Sequence, residues 1–172
     1  MELMIVLAIL GILLGLVVPN YSTIVAERSV TSETKRIISA LKLARSESRA
    51  RGATVTVSRP SGGEWTDELE IYESTTAAGN VAYVAPTGVV GDDLIKRHPG
   101  ISRKVSSRDD ATNDGEFISF NLRGWLSAGE TRAILIAVCS PVLDVSDGNY
   151  IEINRVGKIR ERKIGNDTRG CL

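Results

Sequence analysis

One histidine, two cysteines and a C-terminal run of arginines and lysines are the residues of this chain best able to do chemistry. His98 is the single histidine and stands beside Pro99, in a stretch that reads as a loop. Any Ser-His-Asp or Cys-His arrangement would have to use it, and nothing around it resembles a nucleophile elbow. It reads as a solvated surface residue. No zinc spacing is present. The acidic stretch 109–116 fits a calcium loop only in part. Asp110, Asp114 and Gly115 match the template, but Thr112 is a poor middle ligand and Asn121 stands where a bidentate Glu belongs. It reads as a hydrated connection. The sequence thus offers no catalytic residue, no metal ligands, no cofactor and no small-molecule substrate site.

Two features carry more. Cys139 and Cys171 are the only cysteines. One disulfide in an oxidising compartment accounts for them, and two buried thiols are the alternative. Cys171 is one residue from the end, where burial is rare, which favours the disulfide. The basic cluster is Arg155, Lys158, Arg160, Arg162, Lys163 and Arg169. If 158–162 is a strand, Lys158, Arg160 and Arg162 share one face by period two. Such a row suits successive phosphates of a DNA backbone without reading sequence. The plainer reading is a strand edge guarded by charge, and it carries more weight because Glu152, Glu161 and Asp167 dilute the field. Net charge is zero and only 5% of residues are aromatic. No global field draws the chain to nucleic acid, and no platform for stacking bases is evident.

The elements that position these residues begin with an apolar run. From Leu3 to Val18 nothing is charged, and after Glu2 the next charge is Glu27. A cleaved secretory signal would want a basic start and a small-residue cleavage site, and neither is there. A buried core helix would need protein on all sides. A membrane helix fits best, although 3–18 covers roughly 24 Å against a core of ~30 Å. Either the helix continues past Pro19, kinked rather than ended, or residues precede Met1. Glu2 at the rim of this run is costly unless it is paired or reaches the interface.

From about 22 to 51 the pattern turns amphipathic. Val30, Ile37, Leu41, Ala44 and Ser48 form a buried stripe that Ile38 and Leu43 widen. Glu27, Arg28, Glu33, Lys35, Arg36, Lys42, Arg45, Glu47 and Arg49 fall on the remainder, which predicts a helix with one buried face. Gly52 is its expected C-cap. Strand signals follow at 53–58, 68–73, 81–84, 94–97 and 101–105. Segments 116–121 and 124–127 predict a hairpin, 133–138 a strand covered on both faces, and 150–154 with 158–162 a last hairpin. The fold class is therefore α+β, a long helix packed on antiparallel sheet. Its parts are a membrane-spanning helix over 1–21, an amphipathic continuation over 22–52 and a β domain over 53–172.

The run Glu2-Leu3-Met4-Ile5-Val6-Leu7-Ala8-Ile9-Leu10-Gly11-Ile12, followed by Val18-Pro19-Asn20-Tyr21, resembles the N-terminal helix of type IV pilins and pseudopilins. Ala44-Arg45-Ser46-Glu47, 52–57, the 117–127 hairpin, Val138-Cys139 and Gly157-Lys158-Ile159-Arg160 are similar to the FimT/FimU minor pilins and the related GspH pseudopilin of type II secretion. In that family a leader is removed, the new N-terminus is methylated, and one glutamate pairs with a neighbour's terminal amine. Glu2 takes the place of that glutamate and Pro19 that of the helix-kinking proline, so both are assigned to assembly. The leader, its Gly and the following Phe are not in this sequence, and Met1 falls where an internal residue belongs. The resemblance predicts a start upstream of it.

It also implies an inner-membrane, single-pass protein with its head in the periplasm, incorporated into a pilus or pseudopilus. The partners are other minor and major pilins and the membrane, and the role is structural: a priming or tip complex of a type IV pilus. Two alternatives are DNA uptake in natural transformation, through a Gly-Arg-x-Arg motif that here has Lys158 for the first Arg, and type II protein secretion. Lys keeps the charge there but loses the bidentate geometry.

Overall fold

The computed structural model describes residues 2–60, 63–74, 93–100, 105–109, 117–127 and 133–165; within 2–20 it describes the side chains of Met4, Val6 and Leu10 alone. Helix α1 spans Glu2–Arg51 and runs through Pro19 without ending. Where side chains are described, its first half is unpacked. Met4, Val6, Leu10, Tyr21 and Ile24 are all exposed, and burial begins at Ala26. From Val30 onward Ile37, Ala40, Leu41 and Ala44 face the core, as period 3.6 demands. The helix closes at Gly52, in the left-handed region at φ 64°, with the Ala53 N–H donating to the Ser48 carbonyl at 3.2 Å. That six-to-one bond satisfies an otherwise orphaned carbonyl.

Eight strands follow: β1 Thr54–Ser58, β2 Leu69–Ser74, β3 Asp93–His98, β4 Ser106–Asp109, β5 Phe117–Phe120, β6 Ile134–Cys139, β7 Asn149–Ile153 and β8 Ile159–Lys163. They form two four-stranded sheets, β3-β2-β1-β5 and β4-β6-β7-β8, and every pairing is antiparallel. In the first sheet Val57 lies between Ile71 and Ile118 and turns to the core, while Thr56 lies between Tyr72 and Ser119 on the other face. In the second, Ile134, Ile136 and Val138 of β6 join Ile151 and Ile153 of β7 against the helix. Ala137, Cys139, Tyr150 and Ile164 make a smaller cluster behind. Strand β6 is thus covered on both faces, as its continuous apolar run requires.

Several expectations need correction. His98 closes β3 and is half-buried rather than solvated in a loop. Strand β4 lies at 106–109, and of the expected strand 101–105 only Val105, outside a strand, is among the described residues; the Ser-Ser-Arg-Asp sequence of β4 has no strand signature because an edge strand can be held by its backbone pairing to β6. The second arm of the 117–127 hairpin shrinks to one bridge, Phe120 to Leu126. The Leu126 N–H turns away and donates to the Arg155 carbonyl of the other sheet at 3.0 Å. Glu33 is buried and Arg36 and Arg45 are half-buried, although their charge predicts the wet face of the helix for all three. The expected strand 81–84 and all of the acidic stretch 109–116 except Asp109 fall outside the described residues.

Candidate functional site

The basic cluster is split by the hairpin that carries it. Asn154 and the Lys158 carbonyl close the β7–β8 turn at 3.1 Å, and the Lys158 N–H donates to Asn154 Oδ1 at 2.7 Å. Arg155 and Lys158 are exposed on that turn, so Lys158 precedes the strand rather than belonging to it. In β8, Arg160 lies opposite Glu152 and Arg162 opposite Tyr150, so all four share the sheet's outer face. The Arg162 guanidinium lies 5.8 Å from the Tyr150 ring centroid. Lys163 belongs to the inner face, beside Asn149, and its Nζ donates to the Asp147 carbonyl at 3.0 Å. The structure therefore brings Arg160 and Arg162 together, sets Arg155 and Lys158 at the adjoining turn, and separates Lys163. Among the described residues none of the five has an ion pair. Arg169 lies outside them.

The turn is fixed from beneath by residues whose role the sequence hid. Arg45 reaches from α1 to two carbonyls, Nε to Gly124 at 3.0 Å and Nη2 to Val156 at 3.0 Å. Each guanidinium N–H thus ties the helix to one sheet. Gly157, at φ 72°, packs on the Gly124 carbonyl so closely that a Cβ there would collide with it. The glycine of Gly157-Lys158-Ile159-Arg160 is therefore explained by packing alone. Near the other end of the packed helix, Asn149 Nδ2 donates to Thr34 Oγ1 at 3.2 Å and Glu161 Oε1 at 3.3 Å. Glu33 pairs with Arg36 at 2.8 Å, and Arg36 Nη2 donates to the carbonyls of Trp65 (3.0 Å) and Asp67 (3.1 Å). The i, i+3 spacing of Glu33 and Arg36 was the one signal of this in the sequence.

Glu2 opens α1 and Pro19 lies within it; their side chains are outside the described set. Among the residues whose side chains are described, no helical stretch is long and apolar enough to cross a membrane. Cys139 ends β6 and is disulfide-bonded, and Cys171 lies outside the described residues. No group of three or more His, Cys, Asp or Glu that could hold a metal occurs among the described residues.

A long helix packed along antiparallel sheets, with no buried side chain among those described before Ala26, defines a pilin-like α+β protein. The model of the family "Type II transport protein GspH" matches residues 33–157, most of the chain, and the chain belongs to that family. It is a type IV minor pilin or pseudopilin-like protein. Two crystal structures of the type IV minor pilin FimU from Pseudomonas aeruginosa share its fold. One aligns with TM-score 0.61 at 18% identity, over 78% of this chain and 89% of that one. The other gives 0.57 at 18%, over 77% and 91%. The minor pseudopilin EpsH of the Vibrio cholerae type 2 secretion system aligns at TM-score 0.47 and 12% identity, over 82% and 98%. Comparison with curated protein sequences finds no match.

Proposed function

We propose that the chain is a structural minor pilin that joins the priming or tip complex of a type IV pilus and performs no catalysis. The observation that carries this reading is the division of α1. Its second half packs into the head, while no side chain described before Ala26 is buried. A continuous helix with that much bare apolar surface needs lipid or neighbouring helices to cover it. In this reading residues 1–21 cross the inner membrane, 22–52 continue the helix into the head, and 53–172 form the β domain in the periplasm. Glu2 pairs with the terminal amine of a neighbouring subunit, Pro19 bends the rod, and a Cys139–Cys171 disulfide ties down the C-terminus. That bond closes a loop of about 30 residues and contributes ~3–4 kcal/mol on the chain-entropy model.

The test is co-isolation of the full chain with other pilus subunits from inner membranes and from sheared filaments. Glu2→Ala should leave the protein in the membrane and deplete it from filaments. Release of a soluble head lacking the apolar run would overturn the reading. Recovery with secretion components and absence from sheared pili would favour type II protein secretion, which the GspH family match also supports.

Nucleic-acid binding is a second reading, favoured by Arg160 and Arg162 standing exposed on one face of edge strand β8 with Lys158 and Arg155 at the turn. It expects salt-sensitive gel shifts of duplex DNA, weakened about equally for all sequences by Arg160→Ala and Arg162→Ala. Retardation that ignores either salt or both substitutions would remove it.

A further inference from the structure

Strand β8 is an open edge of the second sheet: among the described residues nothing pairs with it on the side away from β7. The phase of its hydrogen bonds follows from the two flanking pairs. The Asn154 N–H donates to the Lys158 carbonyl, and the Ile164 N–H donates to the Gly148 carbonyl. Antiparallel bonding alternates, so Arg160 and Arg162 exchange bonds with Glu152 and Tyr150, and the N–H and carbonyl groups of Ile159, Glu161 and Lys163 point to the open side. The side chains of these same three residues lie on the inner face, toward α1. Strand and helix run antiparallel there. At the joint between the turn after β5 and the β7–β8 turn Gly157 packs beside Arg45, and further along Asn149 links Glu161 to Thr34. Between them is a trough of about 400 Å³ lined by Lys35, Ile38, Ser39, Lys42, Ile159 and Glu161. Ile38 and Ile159 are half-buried at its floor. Lys35 and Lys42 are exposed on its helix wall, without an ion pair among the described residues. The one acid of the trough, Glu161, accepts from Asn149.

We propose that β8 and this trough take an extended, acidic segment of a different polypeptide, added to the sheet as a further strand. Such addition draws affinity from main-chain bonds and selectivity from alternate side chains. The open groups of Ile159, Glu161 and Lys163 supply the bonds. Alternate side chains of the segment enter the trough, an apolar one over Ile38 and Ile159 and carboxylates on either side of it toward Lys35 and Lys42. These lysines stand seven residues, ~10.5 Å, apart on the helix, and the flanking positions of a strand are ~13 Å apart, a difference that flexible lysine stems absorb. A second copy does not suit the site, because β8 against β8 would set Arg160, Arg162 and Lys163 against themselves. The charged edge thus excludes its own kind and admits a strand of opposite charge. A polyanion would use the lysines and leave the open carbonyls of the edge without donors. The inference concerns the head alone and does not rest on the assignment to a pilus.

The test uses the full chain in detergent and a synthetic peptide, Thr-Glu-Thr-Val-Thr-Glu-Thr, whose glutamates and valine share one face of a strand. Added at ~1 mM, it should slow amide exchange at Ile159, Glu161 and Lys163 and leave Arg160 and Arg162 as they were. Glu161→Pro removes only an outward N–H, which an edge strand tolerates, and should weaken binding about tenfold. Glu161→Gln keeps an acceptor for Asn149 and should not weaken it. Lys42→Glu should also weaken it about tenfold, and a peptide with lysines in place of the glutamates should bind that variant better than it binds the parent. That reversal also shows that the variant folds. No protection of the three amides, equal binding of the acidic and basic peptides by the parent, or indifference to Glu161→Pro would overturn the inference. Protection by duplex DNA with none by the peptide would overturn it too. Each of those results leaves the division of α1, and with it the pilus reading, standing.

Discussion

Glu33 is 1% exposed, its Oε2 pairs with Arg36, and its Oε1 has no hydrogen-bond partner among the described residues. Removing one member of a buried pair leaves the other charge stranded, which costs about 3–5 kcal/mol. Arg36→Ala should lower the unfolding free energy by that much, since it also frees the Trp65 and Asp67 carbonyls, and urea titration measures it. Replacing both residues with Met should recover only the part due to the stranded Glu33 carboxylate, because Met cannot donate to the Trp65 and Asp67 carbonyls. His98 gives a pH signature. Burial holds its imidazole below the ordinary range, and the charges of Lys96 and Arg36 act in the same direction. The unfolded chain therefore takes up the proton first as pH drops through about 6.5. Stability is intact above that value and declines towards the lower folded pKa, beneath which the loss is complete. Thermal melts between pH 7 and 5 should fall less for His98→Phe than for the parent. Equal slopes would show that the imidazole is solvated after all. Charge alone predicts exposure for Glu33, Arg36 and Arg45, although Glu33 and Arg45 flank the buried stripe, three residues from Val30 and Ser48. What holds Arg36 and Arg45 there is a set of carbonyls 29 to 111 residues away in sequence, and Glu33 is held by Arg36.

At the next scale, the turn joint depends on the absence of a side chain at Gly157. Its φ of 72° alone costs an L-residue about 1–2 kcal/mol, and a Cβ would also strike the Gly124 carbonyl and crowd Arg45. Gly165 is a built-in control, with φ 58° and nothing within 4 Å of the place a Cβ would occupy. Both positions bear the φ cost, so Gly157→Ala should exceed Gly165→Ala in urea unfolding by the clash alone, about 1–3 kcal/mol. Equal losses would mean that the joint yields freely and that Arg45 does not lock it. The same joint marks the limit of what was legible. Strands β1, β2, β6, β7 and β8 declare themselves by alternation or by an unbroken apolar run, and α1 by its stripe. The arm at 125–127 also alternates, yet it serves as a bridge between sheets because its outward N–H finds Arg155 instead of a neighbouring strand. Strand β4 offers the opposite case, a ladder built by backbone alone beneath a polar sequence. Pattern reports which side chains seek burial, and it is silent where the partner is a carbonyl.

The molecule as a whole divides at about Ala26. Among the side chains described before it none is buried, whereas the head's core draws on Val30, Ile37, Ala40, Leu41 and Ala44 together with both sheets. No side chain described before Ala26 adds to that core, so we expect the apolar half of α1 to contribute little to the stability of the head. A chain shortened to begin at Ser22 loses only one end of an already nucleated helix, anchored further along by Thr34, Arg36 and Arg45. It should stay soluble and melt within about 4 °C of the full chain held in detergent, the shift that ~1 kcal/mol produces at this size. The full chain should meanwhile partition into detergent and the shortened one into buffer. A shortened head that fails to fold would mean that the leading half packs against it, and the division between rod and head would be lost.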